Sequence, residues 1–347
     1  MRMLSILELC REIGYRVSFM PANLSWVDGY ARNLQTRGIE FLYHPGIAGI
    51  DQWLEEQGDE LDLVIVSRHY ILSPLLKTLQ THCPTARLAF DTVDLHFLRE
   101  QREAELSGQP SLFRQAEKTR AAELELMRAA DITLVVSPVE KELLSGMVPE
   151  ADVRVLSNIH TVHGRQREYG ARRDLMFVGG FQHPPNIDAA EWLIEEIFPL
   201  VRDAIADVRL HLIGSRMPES LKDRARTCPG VVAHGFVNDL TPYLNGCRLS
   251  LAPLRYGAGV KGKVNQAMAW GLPVVATDCA AEGMFLVDGE DVLLAEDAQG
   301  FADQVIRAYR DEVLWLRLSD GGLANVERYF SRNAARRVLA ELLESPD

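Results

Sequence analysis

Two lysines and three glycines crowd into seven residues of this chain, Gly257-Ala-Gly259-Val-Lys261-Gly262-Lys263. The apolar run Leu249 to Leu254 before them reads as a buried strand. After them a helix opens near Val260 to Lys263 and runs to Trp270, where Gly271 stops it and Pro273 begins the next strand. Glycines let the backbone come close to a ligand, a helix N-terminus offers unpaired N–H groups, and two ammonium groups add full charges. Together they suit a phosphate or diphosphate. Positions 261 and 263 are about 200° apart on a regular helix, so one lysine, not both, is expected to reach a given phosphate.

Two familiar spacings fit this loop in part. Gly257-x-Gly259-x-x-Gly262 has the dinucleotide spacing, with Asp278 ending the next strand, but it follows the fourth strand of its half instead of the first. Gly257-x4-Gly262-Lys263 follows a P-loop as far as the lysine. Val264 then stands where Ser or Thr would bind magnesium. The plain alternative is a glycine-rich turn with solvated lysines.

The loop stands out because the chain around it is acidic. Its 347 residues carry a net charge of −12, which argues against nucleic acid as a partner. The 47% hydrophobic content allows a full core, and the length allows two domains. Five scattered cysteines form no metal spacing, as expected of free thiols in a reducing compartment. No apolar run approaches membrane-spanning length and no signal peptide is visible, so the expectation is a cytoplasmic protein with peripheral membrane contact at most.

The elements that must position the loop alternate. In the N-terminal half helices are expected at 1–13, 27–36, 50–57, 73–81, 112–130 and 138–144. Strands are expected at 16–20, 39–43, 61–66, 87–90, 132–136 and 153–156. Residues 163–173 suit a linker. Strands at 174–178, 208–213, 231–234, 249–254, 273–277 and 291–295 then alternate with helices, among them 188–205, 300–309, 312–330 and a last helix to Leu343 capped by Ser331. Apolar strands alternating with helices mean an α/β fold of two doubly wound parallel-sheet, Rossmann-like domains. The chain opens in a helix where such a domain opens with a strand, so the first strand is expected upstream or absent.

Functional residues of open α/β sheets gather at the carboxyl ends of strands. In the N-terminal half the densest such group is Asp91-Thr-Val-Asp94-Leu-His96-Phe-Leu-Arg99-Glu100, beside Ser67-Arg68-His69-Tyr70. Asp91, Asp94 and His96 are the catalytic candidates there, since a carboxylate beside His or Arg can orient it or act as a base. The stretch Gln101 to Arg128 reads as a solvated helical face with no chemistry.

Phe177-Val-Gly-Gly-Phe, His234-Gly-Phe-Val-Asn-Asp-Leu, Pro253-Leu-Arg-Tyr-Gly-Ala-Gly-Val-Lys-Gly-Lys and Glu282-Gly-Met occur in this order. In these residues the chain resembles the retaining group-1 (family 4) glycosyltransferases, whose GT-B fold sets two doubly wound domains facing each other. The resemblance implies an acceptor-side domain over 1–165, a sugar-nucleotide domain over 172–330, and a helix over 331–347 packing back on the first domain. It implies a nucleoside-diphosphate sugar as donor, a saccharide or lipid-linked saccharide as acceptor, no cofactor and no metal. The donor is expected between the halves, held mainly by Gly179, Gly180, His183, Asn186, Gly214, Phe236, Val237, Arg255, Tyr256, Gly257, Gly259, Val260, Lys261, Gly262, Lys263 and Gln266. Glu282 is expected to meet the sugar or the diphosphate edge as a catalytic residue. The chain departs from the class at five places: Ala258 and Gln266 stand at its two carboxylate positions, Gly180 and Pro185 at its diphosphate Arg and Lys, and Asp91 where the class often has a histidine at the end of the fourth N-terminal strand. The activity implied is sugar transfer with retention, as in polysaccharide biosynthesis. A degenerate GT-B protein that only binds a sugar nucleotide or partner, and a sugar-nucleotide epimerase, are the alternatives.

Overall fold

The computed structural model describes residues 2–343, which divide into two compact units: 2–159 with 332–343, and His160–Ser331. In the first unit helices α1 (Arg2–Ile13), α2 (Asp28–Thr36), α3 (Ile50–Gln57), α4 (His69–His82), α5 (His96–Ser107), α6 (Pro110–Ala129) and α7 (Pro138–Ser145) alternate with strands. The strands are β1 (Ser18–Phe19), β2 (Glu40–Phe41), β3 (Leu63–Ser67), β4 (Arg87–Asp91), β5 (Ile132–Val135) and β6 (Val153–Val155). β3 to β6 form one parallel sheet in sequential order. β1 and β2 do not extend it. They pair only with each other, over two residues, and their aromatic face packs as a separate cluster of Phe19, Trp26, Phe41 and Tyr43.

Helix α5 was not legible as a separate helix. Gly108, in the left-handed conformation, ends it and lets α6 return antiparallel against it.

The second unit builds β7 (Arg173–Val178), α8 (Pro184–Trp192), α9 (Phe198–Ala204), β8 (Leu210–Ile213), α10 (Glu219–Thr227), β9 (Val231–Gly235), α11 (Thr241–Gly246) and β10 (Cys247–Ala252). It continues with α12 (Gly262–Met268), β11 (Val274–Ala276), α13 (Asp278–Ala281), β12 (Leu293–Leu294), α14 (Ala298–Arg310) and α15 (Glu312–Asn325). Its six parallel strands run in the order β12-β11-β10-β7-β8-β9. The strand order therefore reverses between β7 and β10, and the crevice beyond their carboxyl ends is where such a sheet binds ligands. Leu175, Met176, Phe177, Leu249 and Leu251 are fully buried on these two strands, as strands covered by helices on both faces require.

The expected linker is partly core. Arg172 is fully buried, its guanidinium donating to the carbonyls of Arg167, Leu244, Cys247 and Trp270. Burial lowers its pKa to about 10. Four carbonyl acceptors satisfy a charge that no carboxylate joins among the described contacts. Helix α16 (Arg332–Leu343) belongs to the first unit, where it packs on α1 and Arg332 reaches Glu8 and Glu12.

Candidate functional site

β7 ends at Val178 and the chain turns through Gly179 and Gly180. Packing demands glycine at 179 and at 214. A Cβ on Gly179 would stand 2.9 Å from Asn186 Cγ, and one on Gly214 would stand 1.7 Å from the Gly179 carbonyl oxygen. Gly214, at the end of β8, thus secures the turn after β7. Asn186, in the first turn of α8, donates from Nδ2 to the Gly180 carbonyl at 2.8 Å. Its Oδ1 accepts from Lys263 Nζ at 2.5 Å. One amide so joins the loop after β7 to the loop after β10 across the switch point. His183 precedes α8 and donates its backbone N–H to the Gly180 carbonyl.

In the loop after β10, Gly257 and Gly259 have φ of +147° and +68°, conformations that favour glycine. The two lysines have different surroundings. Lys261 lies before the helix and folds back, with Nζ donating to the carbonyls of Ala258 at 3.0 Å and Gly259 at 2.6 Å. It braces the loop. Lys263 turns inward, its Nζ 4.4 Å from the centre of the Phe177 ring. Burial first, and the neighbouring Lys261 charge second, lower its pKa from 10.5 to about 7. Among the described residues no carboxylate pairs with it. Helix α12 has only seven residues, so its dipole is minor here and the lysines carry the charge. Val260, Gly262 and the half-buried Gln266 frame this arrangement, and Tyr256 is buried beneath it.

Arg255 leaves the donor set. It is drawn onto α8, where it pairs with Asp188 and lies 5.3 Å over Trp192. Thr277 ties the next strand end in, donating to the Leu254 carbonyl at 2.6 Å and capping α13. Glu282 follows α13 directly, at its carboxyl end and half-buried. After β9, Phe236 is 71% exposed while Val237 packs on the core.

In the first unit Asp91 is fully buried at the end of β4. Its two oxygens accept from the two terminal nitrogens of Arg2 at 2.8 Å each and from Ser67 Oγ at 2.8 Å. A fully buried carboxylate held by a bidentate Arg and a hydroxyl is closed to substrate, so Asp91 is corrected to an anchor for α1. Asp94 is likewise occupied, in an ion pair with Arg99. His96 is nearly buried. Its Nδ1 faces the Asp94 carbonyl at 3.2 Å and Glu123 Oε1 at 3.4 Å, and its Nε2 lies 3.4 Å from Arg68 Nη1.

Glu123 is the residue that the solvated-face reading missed. It is fully buried on α6, among the inward positions Ala116, Thr119, Glu123 and Met127. A carboxylate on that stripe was the available signal. Burial alone would raise its pKa, but contacts from His69 and His96 and the N–H groups of Phe97 and His96 outweigh that and hold it below the usual range. His69 Nδ1 lies 3.5 Å from Oε1, an ionic contact longer than a good hydrogen bond. The three ligand atoms of His69, His96 and Glu123 lie within 4.8 Å of one another, the one such group among the described residues.

Comparison with known proteins follows the same division. Residues 172–311 match the family described as "Glycosyl transferases group 1". A 44.6 kDa protein in the cps region of Klebsiella pneumoniae is 27% identical over 140 residues, 38% of this chain and 36% of that one. The phosphatidyl-myo-inositol mannosyltransferase of Mycobacterium leprae is 28% identical over 165 residues, 45% of this chain and 42% of that one. The match thus spans less than half the length of either relative. Among solved structures, Anabaena HepE in complex with UDP superposes with a TM-score of 0.74 at 14% identity, covering 99% of this chain and 96% of HepE. The glycine loop and the switch point both lie within the segment that matches the group 1 glycosyltransferase family, and the chain has the fold of the GT-B structures it superposes on.

Proposed function

We propose that this protein is a glycosyltransferase that takes a sugar from a nucleoside-diphosphate sugar and passes it, with retention of configuration, to a saccharide or lipid-linked saccharide. The observation that carries the donor half is Lys263. A largely enclosed ammonium without a carboxylate partner, aimed at the carboxyl edge of β7 and β10, is costly unless an anion completes it. A leaving diphosphate gathers negative charge as it departs, so a cation held there stabilises the transition state more than the ground state. Gly257, Gly259 and Gly262 admit the phosphates, and the exposed Phe236 ring offers a face for a base. HepE was solved with UDP, which makes a uridine donor the first to try.

Among the described residues no helix is long and apolar enough to cross a membrane. A lipid-linked acceptor would be met at a membrane surface.

The test is a melting-shift panel of nucleoside diphosphates and their sugars, followed by transfer from the best donor to a panel of glycosides. A shift with one nucleotide and transfer with net retention are expected. No shift with any nucleotide diphosphate would overturn the reading. One observation favours a second reading: Ala258 and Gln266 offer no carboxylate beside the loop. A sugar-nucleotide-binding protein without turnover would show the shift and no transfer.

A further inference from the structure

The donor reading leaves one cluster of the first unit unused, and its geometry is specific. Glu123 cannot turn away from it, because Oε1 accepts the backbone N–H of His96 at 3.2 Å and Oε2 that of Phe97 at 3.1 Å. Oε1 therefore faces Nδ1 of both His69 and His96, at 3.5 and 3.4 Å. An ionised carboxylate opposite an imidazole nitrogen favours a proton on that nitrogen, and in the neutral ring the other nitrogen then carries the lone pair. For His96 the second nitrogen is engaged by Arg68. For His69 no described contact engages it. The Nδ1 of His69 is sealed from solvent and makes no hydrogen bond, so the Glu123 Oε1 charge 3.5 Å away acts on it through the field and not through a bond; the side chain is 18% exposed, so the exposure falls on the rest of the ring, where Nε2 lies.

The ring is also held in place. His96 stands edge-on to it at 4.9 Å and Tyr70 at 5.3 Å. The backbone is strained on both sides, with φ of +79° at Arg68 and +67° at Val93. Strain of this kind in non-glycine residues collects at functional sites.

We propose that Glu123 is a positioning residue that fixes His69 as its Nδ1–H tautomer, so that Nε2 of His69 accepts a hydrogen bond from a hydroxyl of the acceptor. The identification of that hydroxyl with the acceptor rests on the glycosyltransferase reading above. A neutral lone pair held this way suits an uncharged polyol and repels an anion. Zinc is the competing occupant of the same three side chains. Against it, His96 Nδ1 also lies 3.2 Å from the Asp94 carbonyl, an acceptor that holds a proton there and not a metal.

The experiment uses the full chain with His69→Ala, Glu123→Gln and the double variant. UDP-induced melting shifts should be unchanged in all three. Transfer from the donor to methyl glycosides should fall on the order of a hundredfold in kcat/KM for the glycoside with His69→Ala, while the donor KM holds. Glu123→Gln should fall less, and the double variant no further than His69→Ala, because Glu123 acts through His69. Long-range 1H–15N spectra of the wild type without substrate should show His69 protonated on Nδ1. Near-normal transfer by His69→Ala, additive losses in the double variant, an Nε2–H tautomer, or stoichiometric zinc binding that moves both histidine signals would each overturn the proposal. Absence of any UDP shift in the wild type would instead refute the donor reading, and the tautomer spectrum would still decide the role of Glu123.

Discussion

On the proposed donor reading, Lys263 would make nucleotide binding a proton-uptake reaction. In the free protein its pKa is lowered from 10.5 to about 7, which disfavours the charged form by about 5 kcal/mol at about 1.4 kcal/mol per tenfold. A diphosphate beside Nζ favours the ammonium and raises that pKa again. At pH 8 the free group is about one-tenth charged, so binding UDP should take up about 0.9 proton. The terminal phosphate itself ionises near pH 6 and is silent there. The signs separate two effects. Affinity should fall as pH rises through 7, by about tenfold per unit up to pH 9. The free folded protein binds fewer protons at this site than the unfolded chain between about 7 and 10.5. Its stability from this group should therefore rise with pH over the same window. Calorimetry of UDP binding in buffers of different ionisation enthalpy reads the uptake directly. Lys263→Met should abolish it and weaken UDP about 10- to 150-fold, as losing a charge-assisted hydrogen bond of about 1.5–3 kcal/mol does. No uptake by the wild type at pH 8, or equal uptake in Lys263→Met, would refute the reasoning.

Lys263→Ala should lower kcat roughly tenfold to a thousandfold, with a smaller loss for Lys261→Ala, whose Nζ is spent on the Ala258 and Gly259 carbonyls; steady-state kinetics on both decide it. Glu282→Gln should reduce turnover with the fold intact, and unchanged kcat would leave Glu282 a structural residue after α13. Arg2→Ala strips Asp91 of its cation and should destabilise the first unit by about 3–5 kcal/mol in urea, as an orphaned buried charge does; a change below about 0.5 kcal/mol would contradict the anchor role. Burial lowers the pKa of His160 from 6.5 to about 4, so the folded state holds fewer protons than the unfolded one in that window. The stability it contributes is complete above pH 6.5 and is lost as pH falls toward 4, and His160→Gln should flatten the melting temperature over that range.

The parts of the site that were legible are those made by residues close in sequence. The glycine loop after β10, the Gly179-Gly180 turn and Glu282 after the next strand follow from strand ends and glycine spacing. What was hidden depends on partners distant in the chain. Lys263 finds Asn186 across 77 positions, Arg255 finds Asp188 across 67, and Arg2 finds Asp91 across 89. No local pattern separates Arg255 from Lys263, yet one is drawn out to a carboxylate and the other is enclosed without one. Arg172 and Glu123 show the same limit. Each sits in a polar stretch, and burial is decided by which carbonyls or imidazoles the fold brings to it. Helix α10 escaped notice because only Leu221 and Ala225 of its nine residues are buried, too weak a stripe to read.

The two carboxyl edges also differ in how they settle charge, and the difference bears on what each can hold. At the first unit's edge Asp91 pairs with Arg2, Asp94 with Arg99, Glu123 lies beside two imidazoles and Glu140 accepts from the N–H groups of Leu95 and Val136, while Glu100 Oε2 is buried without a hydrogen-bond partner among the described residues. Arg2 and Arg99 are each taken up by a carboxylate, and Arg68 lies against His96 and the Tyr70 ring. Such a carboxylate-rich, hydrogen-bonding surface gains little from an anionic ligand and discriminates by direction, as hydroxyls require. The second unit's edge is different. Arg255 is cancelled by Asp188, Lys261 is absorbed by two carbonyls, and Lys263 remains with an amide and a ring. That residual charge is small against a chain of net charge −12, so it cannot draw an anion from afar through a repulsive field. It acts at contact, where screening by salt is weakest. UDP affinity should therefore depend steeply on pH, through Lys263, and only weakly on ionic strength. A salt slope approaching that of several exposed cations would place the phosphates on the surface of the loop and not against Lys263.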